Sequence, residues 1–370
     1  MSGPIIIGGG PAGAAAATLL ARAGHAVTLI ERTAAASHKV CGDFLSAEAI
    51  EAITALGVDL YPLAPAPITA LRLVHGKNVA TARLPFPAFG LTRRSLDEAL
   101  LRHATDSGAT LLRGHAVRSI RRAGTSLELD AGVLGAISAD TVFLATGKHD
   151  LRGMPRPGRD TGPVGLKMYF ALDSWAREAL RGHIELVLFA GGYAGLQLVE
   201  TDHAVLCLLV SRARMLAVGG RWDALLDWLV AECPHLADRL HGGQALLGRP
   251  LAIAGLPYGY MHAPAADDAP GLFRLGDQAT VIASLTGDGV ALALASASLA
   301  AQTWLQRGDT AQVYQQRLVR VRSRQMRLAS LLHRLSLDST VQPWLLRTCR
   351  AWPGAMRLAA SWTRCGEIGG

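Results

Sequence analysis

The chain has 370 residues and a mass of 39.0 kDa, half of its residues are apolar, and its formal net charge is +8. A chain of this length exceeds the usual limit for one hydrophobic core, so we expect two lobes. No stretch of about 18 residues is free of charges and turn formers, which excludes a membrane-spanning helix. The five cysteines form no Cys-x-x-Cys pair, so we expect neither a disulfide framework nor a metal site.

The excess positive charge lies at the C-terminal end of the chain. Residues 307–370 contain 11 arginines and three acidic residues, Asp309, Asp338 and Glu367, a local charge of +8. Such a region can meet a membrane surface or an acidic ligand, or it can be a solvated helical face. No known nucleic-acid module is visible, so we expect no nucleic-acid partner. No basic segment precedes the first strand, and we expect a cytoplasmic protein, with membrane association as the alternative.

The N-terminal segment predicts a dinucleotide-binding unit. An apolar strand from Pro4 to Ile7 runs into GGGPAG, a helix follows, and a second strand ends in Glu-Arg. In this GxGxxG pattern the first glycine permits a tight turn, the second lets the backbone approach a pyrophosphate, and the third lets helix and strand pack closely. The helix N-terminus faces the phosphates and the terminal carboxylate a ribose. The residues assigned to this site are Gly8, Gly10, Pro11, Ala12, Gly13, Glu31 and Arg32.

Three further segments resemble the family of FAD-dependent enzymes that includes geranylgeranyl reductases and p-hydroxybenzoate hydroxylase. LTRRSLDEAL (residues 91–100) resembles the family's helix start, whose arginine reaches the FAD. The stretch from FRLGDQ to TGDGVA (residues 273–291) resembles the segment that holds the ribityl chain and points a helix at the flavin. HKVCGDFLS (residues 38–46) resembles a loop near the flavin ring in geranylgeranyl reductases. The resemblance implies FAD as the cofactor and adds the binding residues Cys41, Gly42, Arg93, Val117, Gly276, Asp277, Gly287, Asp288 and Gly289.

The resemblance also implies an α/β fold in which a Rossmann-like FAD-binding lobe of the GR2 type is interleaved with an antiparallel β-sheet lobe for the substrate. We assign residues 1–60, 91–153 and 264–306 to the FAD-binding lobe and residues 61–90 and 154–263 to the substrate lobe. Residues 307–370 form a helical basic region. Its first helix is predicted to be amphipathic, because one stripe carries Arg317, Arg320, Arg324, Arg327 and Arg334 and its neighbour carries Leu318, Val321, Leu328, Leu332 and Leu335.

The predicted strands of the substrate lobe are apolar and carry few charged side chains. We expect one face of this sheet to cover the reacting side of the flavin, with ordinary sheet packing as the alternative for each residue. The substrate-pocket candidates are Tyr169, Phe189, Tyr193 and Tyr258, followed by Leu196, Leu198 and Tyr260. The polar groups of this lobe are Lys167, Gln197 and His262. We therefore expect a hydrophobic or aromatic small-molecule substrate with one or two hydrogen-bonding groups.

Two activities of this family stay open, and no catalytic acid or base is predicted. The first expectation is a flavin monooxygenase that hydroxylates an aromatic or polyketide-like molecule, and the alternative is reduction of prenyl or other C=C bonds, favoured by the KVCGDFLS loop. Halogenation is disfavoured, because the Trp-x-Trp-x-Ile-Pro signature of halogenases is absent. A non-catalytic prenyl-binding or lipid-binding protein on the same fold is the alternative of another class. The turn ATGK lacks the family's Asp-Gly pair, so NAD(P)H as electron donor stays open.

Overall fold

The computed structural model describes residues 3–159, 162–265, 268–308 and 310–364. Of the residues named above, Asp309 and Glu367 lie outside the described residues, as does the fifth cysteine, Cys365. The other four cysteines are free thiols.

The first lobe is built on a five-stranded parallel sheet. From edge to edge its strands are β17 (Leu272–Arg274), β10 (Val142–Leu144), β1 (Ile5–Ile7), β2 (Thr28–Glu31) and β6 (Thr110–Arg113). The central strands are short apolar runs because both faces of the sheet are covered. One face packs against α1 (Pro11–Arg22), α3 (Arg93–Asp106) and α8 (Gly289–Arg307). The other packs against an antiparallel sheet of β7 (Ser119–Ala123), β8 (Ser126–Asp130) and β9 (Ala136–Ala139).

The second lobe is a nine-stranded sheet that is antiparallel except where β12 runs parallel to β4. Its strands in spatial order are β15 (Gln244–Ala245), β11 (Val164–Ala171), β14 (Ala204–Val210), β13 (Gly192–Leu198), β12 (Gly182–Phe189), β4 (Ala66–His75), β5 (Asn78–Gly90) and β3 (Phe44–Leu45), with β16 (Leu251–Ala254) paired to β11. The short strand β3 and the helix α2 (Ala47–Ala55) follow directly on the loop HKVCGD. This loop therefore joins the two lobes.

The outer face of the second sheet is buried under four helices. They are α4 (Ser174–Leu180), α5 (Arg212–Ala217), α6 (Trp222–Glu232) and α7 (Pro234–Leu240). Helix α4 starts where the Asp173 side chain accepts a hydrogen bond from the Ala176 N–H at 2.7 Å. Leucines of α6 and α7 pack on Phe189, Leu196 and Leu198. Because the inner face is also buried, the strands of this sheet are apolar on both sides.

Three C-terminal helices cover the inner face of the second sheet. They are α9 (Ala311–Leu337), α10 (Gln342–Ala351) and α11 (Pro353–Trp362). Leu346, Cys349 and Met356 of α10 and α11 pack against Leu73 and Leu188 of the sheet. The predicted arginine stripe of α9 is exposed to solvent; in the apolar stripe Leu318 is buried, whereas Val321 is exposed. None of the helices among the described residues combines the length and the continuous apolar character that a membrane crossing requires.

The expected fold class is confirmed, because a parallel Rossmann-like sheet, a largely antiparallel second sheet and C-terminal helices are all present. The division into lobes by residue number stays a prediction. One difference is that Phe44 and Leu45, assigned by sequence to the first lobe, pair with β5 in the second sheet. The chain therefore crosses between the sheets immediately after the loop at residues 38–43.

Candidate cofactor and substrate site

The turn after β1 places three glycines in different surroundings. Gly8 has a φ of 102°, and a Cβ atom there would lie 2.4 Å from the Ala145 carbonyl oxygen. A Cβ atom on Gly13 would lie 1.8 Å from the Gly8 carbonyl oxygen. Close packing of α1 on the turn therefore requires glycine at both positions. A Cβ atom on Gly10 would meet only the Arg93 Nη2 atom, at 3.3 Å. The space beside Gly10 is thus open to a ligand.

The carboxylate at the end of β2 is held by the backbone. Glu31 Oε2 accepts a hydrogen bond from the Gly9 N–H at 2.6 Å, and Oε1 accepts from the N–H and hydroxyl of Thr33 at 2.9 and 2.6 Å. Burial acts to raise the pKa of Glu31, and these hydrogen bonds outweigh it, so the pKa lies below its ordinary value. Glu31 is therefore a fixed negative charge beside the glycine turn, and Arg32 next to it lines the same cavity.

Two cavities meet between the lobes. The first, of about 520 Å³, is bordered by the glycine turn, Glu31 and Val117. The second, of about 400 Å³, extends from Cys41 and Gly42 into the second lobe. The residues that line both are Gly10, Arg93, Ala145, Gly147, Lys148 and Asp277. An extended dinucleotide can therefore lie across both cavities, with its nucleotide end in the first and its other end in the second.

The N-termini of two helices line the second cavity. Helix α1 begins after Gly10, and helix α8 begins after Asp288; neither cap residue uses its side chain to bond the helix. The N–H groups of the first turns are thus left for other partners. Gly287, with a φ of 74°, and Gly289 line the second cavity. Gly276 and Asp277 reach the same cavity from the turn after β17.

The side chain of Asp288 faces the C-terminal helices and does not line either cavity. Its Oδ1 atom lies 3.0 Å from Arg364 Nη1, and Arg364 Nη2 donates to the Thr286 carbonyl oxygen at 2.5 Å. Burial raises the pKa of Asp288 to about 7. The sequence prediction placed Asp288 against the cofactor. In the structure its side chain instead contacts Arg364, and this contact holds the end of the described chain beside the second cavity.

Arg93 is the first residue of α3 and stands where the two cavities join. Its guanidinium donates two hydrogen bonds to Asp97, at 2.8 and 2.9 Å, and lies against the Cys41 side chain. The helix starts here because the Thr92 hydroxyl accepts a hydrogen bond from the Ser95 N–H at 3.2 Å. Arg93 is thus held in one orientation, with a cavity on either side of it.

A buried ion pair holds the loop of residues 38–43 between the lobes. Asp43, with a φ of 54°, accepts hydrogen bonds at Oδ2 from Lys167 Nζ and from the Tyr169 hydroxyl, both at 2.6 Å. Gln197 Nε2 donates to the Asp43 carbonyl oxygen at 2.9 Å. Lys167 and Asp43 are both fully buried. Lys167, which the sequence analysis proposed as a polar group for a substrate, therefore binds the Asp43 carboxylate of the loop. Of these four residues only Gln197 lines the second cavity.

The inner part of the second cavity, between the second sheet and helices α9–α11, is apolar; we call it the chamber. Its walls include Leu73, Phe86, Leu186, Leu188, Leu335 and Met356. Tyr193 and Tyr258, two of the sequence candidates, also line it. The chamber is therefore suited to a lipophilic ligand.

Other sequence candidates lie away from the chamber. Tyr169 bonds Asp43, and Phe189 packs on the outer face with its ring 5.8 Å from that of Trp228. Leu196 and Leu198 share that outer face, because side chains alternate along a strand and the inward residues of β13 are Tyr193, Gly195 and Gln197. Away from the chamber, Tyr260 and His262 pair with each other at 3.2 Å, and His262 also contacts Asp268.

The chamber leucines of β4 and β12 were missed by sequence reasoning. Leu186 pairs with Gly195 and with Leu73 across neighbouring strands, which puts all three on the inner face. The signal that could have found them is the cross-strand register, once one inward residue is known. Among the described residues no group of His, Cys, Asp and Glu could hold a metal ion.

Comparison with known proteins gives matches over the first lobe and over most of the chain. Residues 3–132 match the family model described as FAD binding domain. The menaquinone reductase of Mycolicibacterium smegmatis is 27% identical over 327 residues, which cover 83% of this chain and 77% of the relative. The similarity to that relative therefore extends well beyond the first lobe.

Solved structures share the whole fold at low sequence identity. A flavoprotein/dehydrogenase from Cytophaga hutchinsonii superposes with a TM-score of 0.81 and 16% identity, covering 98% of this chain and 92% of the other. The halogenase PltM in complex with phloroglucinol and FAD superposes with a TM-score of 0.74 and 15% identity, covering 97% and 85%. These likenesses establish the fold.

Proposed function

We propose that this chain is an FAD-dependent oxidoreductase that reduces a prenyl-type or quinone-type lipophile bound in the chamber. The observation that carries the proposal is the apolar chamber at the inner end of the cofactor cavity, closed on one side by helices α9–α11. The match of residues 3–132 to the FAD binding domain family model agrees with the FAD cofactor and the superfamily expected from the sequence. The choice of substrate is our inference.

The residues around the two cavities fit FAD. In this proposal the open backbone at Gly10 and the α1 N-terminus hold the pyrophosphate, Glu31 the ribose, and Asp277 the ribityl chain. Gly287 and Gly289 bring the α8 N-terminus to the ring edge, where negative charge gathers on reduction. Bound FAD supplies the two-electron chemistry of the reaction. The individual contacts stay predictions.

The chain's own contribution to the reaction is a dry, apolar binding surface. Leucine and phenylalanine side chains of the second sheet and of α9–α11 exclude water, and burial of a lipophile against them gains about 25 cal/mol per Å² of apolar surface. The Cys207 thiol, which also lines the chamber, is neutral because burial raises its pKa to about 12. The position of the lipophile is therefore governed by shape and by few polar contacts.

The menaquinone reductase relative supports reduction over hydroxylation. Menaquinone is a lipophile that combines a quinone ring with a prenyl tail, and the matched region includes most of this chain, not only the first lobe. Monooxygenation, the first expectation from the sequence, is the second candidate, supported by the likeness to a structure that holds FAD and the small aromatic phloroglucinol. The deciding test is whether a lipophile reoxidises the reduced protein without dioxygen. A purely lipid-binding role is disfavoured by the intact glycine turn and Glu31.

We further propose that helices α10 and α11 contact an anionic membrane from which the lipophile enters. Trp344, Trp352 and Trp362 are 65, 57 and 68% exposed. Exposed arginines lie between them, and residues 339–364 contain no acidic residue. The opposite side of these helices lines the chamber through Cys349 and Met356. Tryptophan and arginine together suit a membrane interface, where each arginine contributes about 1 kcal/mol.

Sedimentation with lipid vesicles tests this contact. We expect the protein to sediment with phosphatidylglycerol vesicles at low salt, and much less at high salt or with phosphatidylcholine, because salt screens the arginines. Changing Trp344, Trp352 and Trp362 together to serine should abolish sedimentation. The matched control is Trp175→Ser, since Trp175 is 60% exposed on α4 and carries no part of this surface. Equal binding by both variants would refute the contact.

A further inference from the structure

Two tyrosines converge on one serine in the wall of the otherwise apolar chamber. The Tyr193 hydroxyl lies 2.6 Å from Ser284 Oγ, and the Tyr258 hydroxyl donates to the same atom at 3.0 Å. All three residues line the second cavity, and Ser284 is exposed to it. Ser284 opens the 3₁₀ turn Ser284–Thr286, directly before the glycines that start α8. The group therefore stands at the cofactor end of the chamber.

The hydrogen count leaves one donor free. Tyr193 and Ser284 share one hydrogen bond, which either hydroxyl can donate, and Tyr258 donates to Ser284. A serine hydroxyl has two acceptor positions and one donor. The three hydroxyl protons thus make two hydrogen bonds within the group and one proton is left over; when Tyr193 donates, that proton is on Ser284, the member of the group that is exposed to the cavity. Burial raises the pKa of both tyrosines, so each keeps its proton.

The surroundings of this group hold it rigid and uncharged. The His333 ring packs edge-on against Tyr258 and Tyr193, with centroids 5.1 and 6.0 Å apart. Burial lowers the pKa of His333 to about 4, so the ring is neutral at physiological pH. A neutral, oriented hydroxyl donor in an apolar cavity matches an uncharged acceptor such as a carbonyl oxygen better than it matches an anion.

We propose that Ser284, oriented by Tyr193 and Tyr258, donates a hydrogen bond to a carbonyl or quinone oxygen of the lipophile in the chamber. This inference rests on the proposed function and narrows its substrate class to lipophiles that carry an acceptor oxygen at the cofactor end. Ser284 is a recognition residue here. The two tyrosines are positioning residues: when both donate to Ser284, its own proton is free to bond the lipophile.

Binding of two probes that differ only in the carbonyl tests the proposal. The probes are 1-tetralone and tetralin, titrated into the holoprotein with oxidised FAD, which avoids turnover. We expect Ser284→Ala to lower the affinity for 1-tetralone about fivefold, which is the scale of one net hydrogen bond. The affinity for tetralin should change less than about twofold. Ser284→Thr, which keeps a hydroxyl, is the matched control and should retain most of the preference for 1-tetralone. Tyr258→Phe should lower the affinity for 1-tetralone less than Ser284→Ala does.

Each other outcome overturns the proposal in a recognisable way. Equal weakening of both probes assigns Ser284 to shape alone. A weaker affinity for FAD with unchanged probe binding assigns the free proton to the cofactor. If the wild-type protein binds both probes and no variant changes either, this inference fails while the lipophile chamber stands. If the wild type binds neither probe, the proposed function fails together with it.

Discussion

Replacement of Gly10 by valine is expected to abolish FAD binding while the protein stays folded. A Cβ atom on Gly10 meets no backbone and only the Arg93 side chain at 3.3 Å, so the fold can accept it. The added methyl groups then occupy the space in which the pyrophosphate must approach the backbone. We expect the affinity for FAD to fall at least about 100-fold, which is roughly 3 kcal/mol, the upper range for overpacking.

Gly13→Val is the contrasting variant three residues further on. Its Cβ atom would lie 1.8 Å from the Gly8 carbonyl oxygen, so α1 would have to separate from the turn, and we expect loss of folding. The measurement is FAD titration by flavin fluorescence, with circular dichroism on the same samples. A Gly10→Val protein that binds FAD normally would mean that the pyrophosphate lies elsewhere.

Removal of the charge on Lys167 is expected to destabilise the protein by about 3–5 kcal/mol, the cost of leaving a buried carboxylate unpaired. In Lys167→Met the Asp43 side chain, buried like its partner, keeps two hydrogen bonds from the described residues, one from the Tyr169 hydroxyl and one of 3.2 Å from the Arg93 N–H. Asp43 also anchors the loop that places Cys41 and Gly42 at the second cavity. Weaker FAD binding should therefore accompany the loss of stability.

A second substitution separates charge from shape. In the double variant Lys167→Met with Asp43→Asn both charges are absent, and asparagine tolerates the left-handed backbone of position 43, where φ is 54°. We expect the double variant to regain more than half of the lost stability in urea unfolding. Additive losses in the two single variants and the double variant would show that the ion pair is not what holds this loop.

The first lobe could be predicted from local sequence because its signals are contiguous. A strand, a glycine turn, a helix and a second strand follow one another within 28 residues, from Ile5 to Arg32, and each step has its own residue requirement. The helices after Thr92 and Asp288 begin close to the positions that the family resemblance implied. Local sequence was therefore sufficient to predict the glycine turn between the first two strands, and the resemblance was needed for the two helix starts.

The second lobe was harder because both faces of its sheet are buried. Leu186 lines the chamber and Val187 packs on the outer helices, and nothing in their side chains distinguishes the two faces. Contacts between residues far apart in sequence could not be predicted either, since Asp43 and Lys167 are separated by 124 residues. Asp288 belongs to a recognisable motif, yet its side chain turns to Arg364, a partner that only the packing of α11 supplies.

Anaerobic reoxidation of the reduced protein tests the central proposal most directly. The FAD of the holoprotein is reduced with dithionite, so the result does not depend on the natural electron donor, and menaquinone or geranylgeraniol is added without dioxygen. We predict that the absorbance of oxidised flavin returns and that the recovered lipophile is heavier by two hydrogen atoms. Leu186→Trp, which fills the chamber from its inner wall, should slow the return while FAD stays bound. Absorbance that returns only after dioxygen is admitted, with an oxygen atom in the product, would contradict the account.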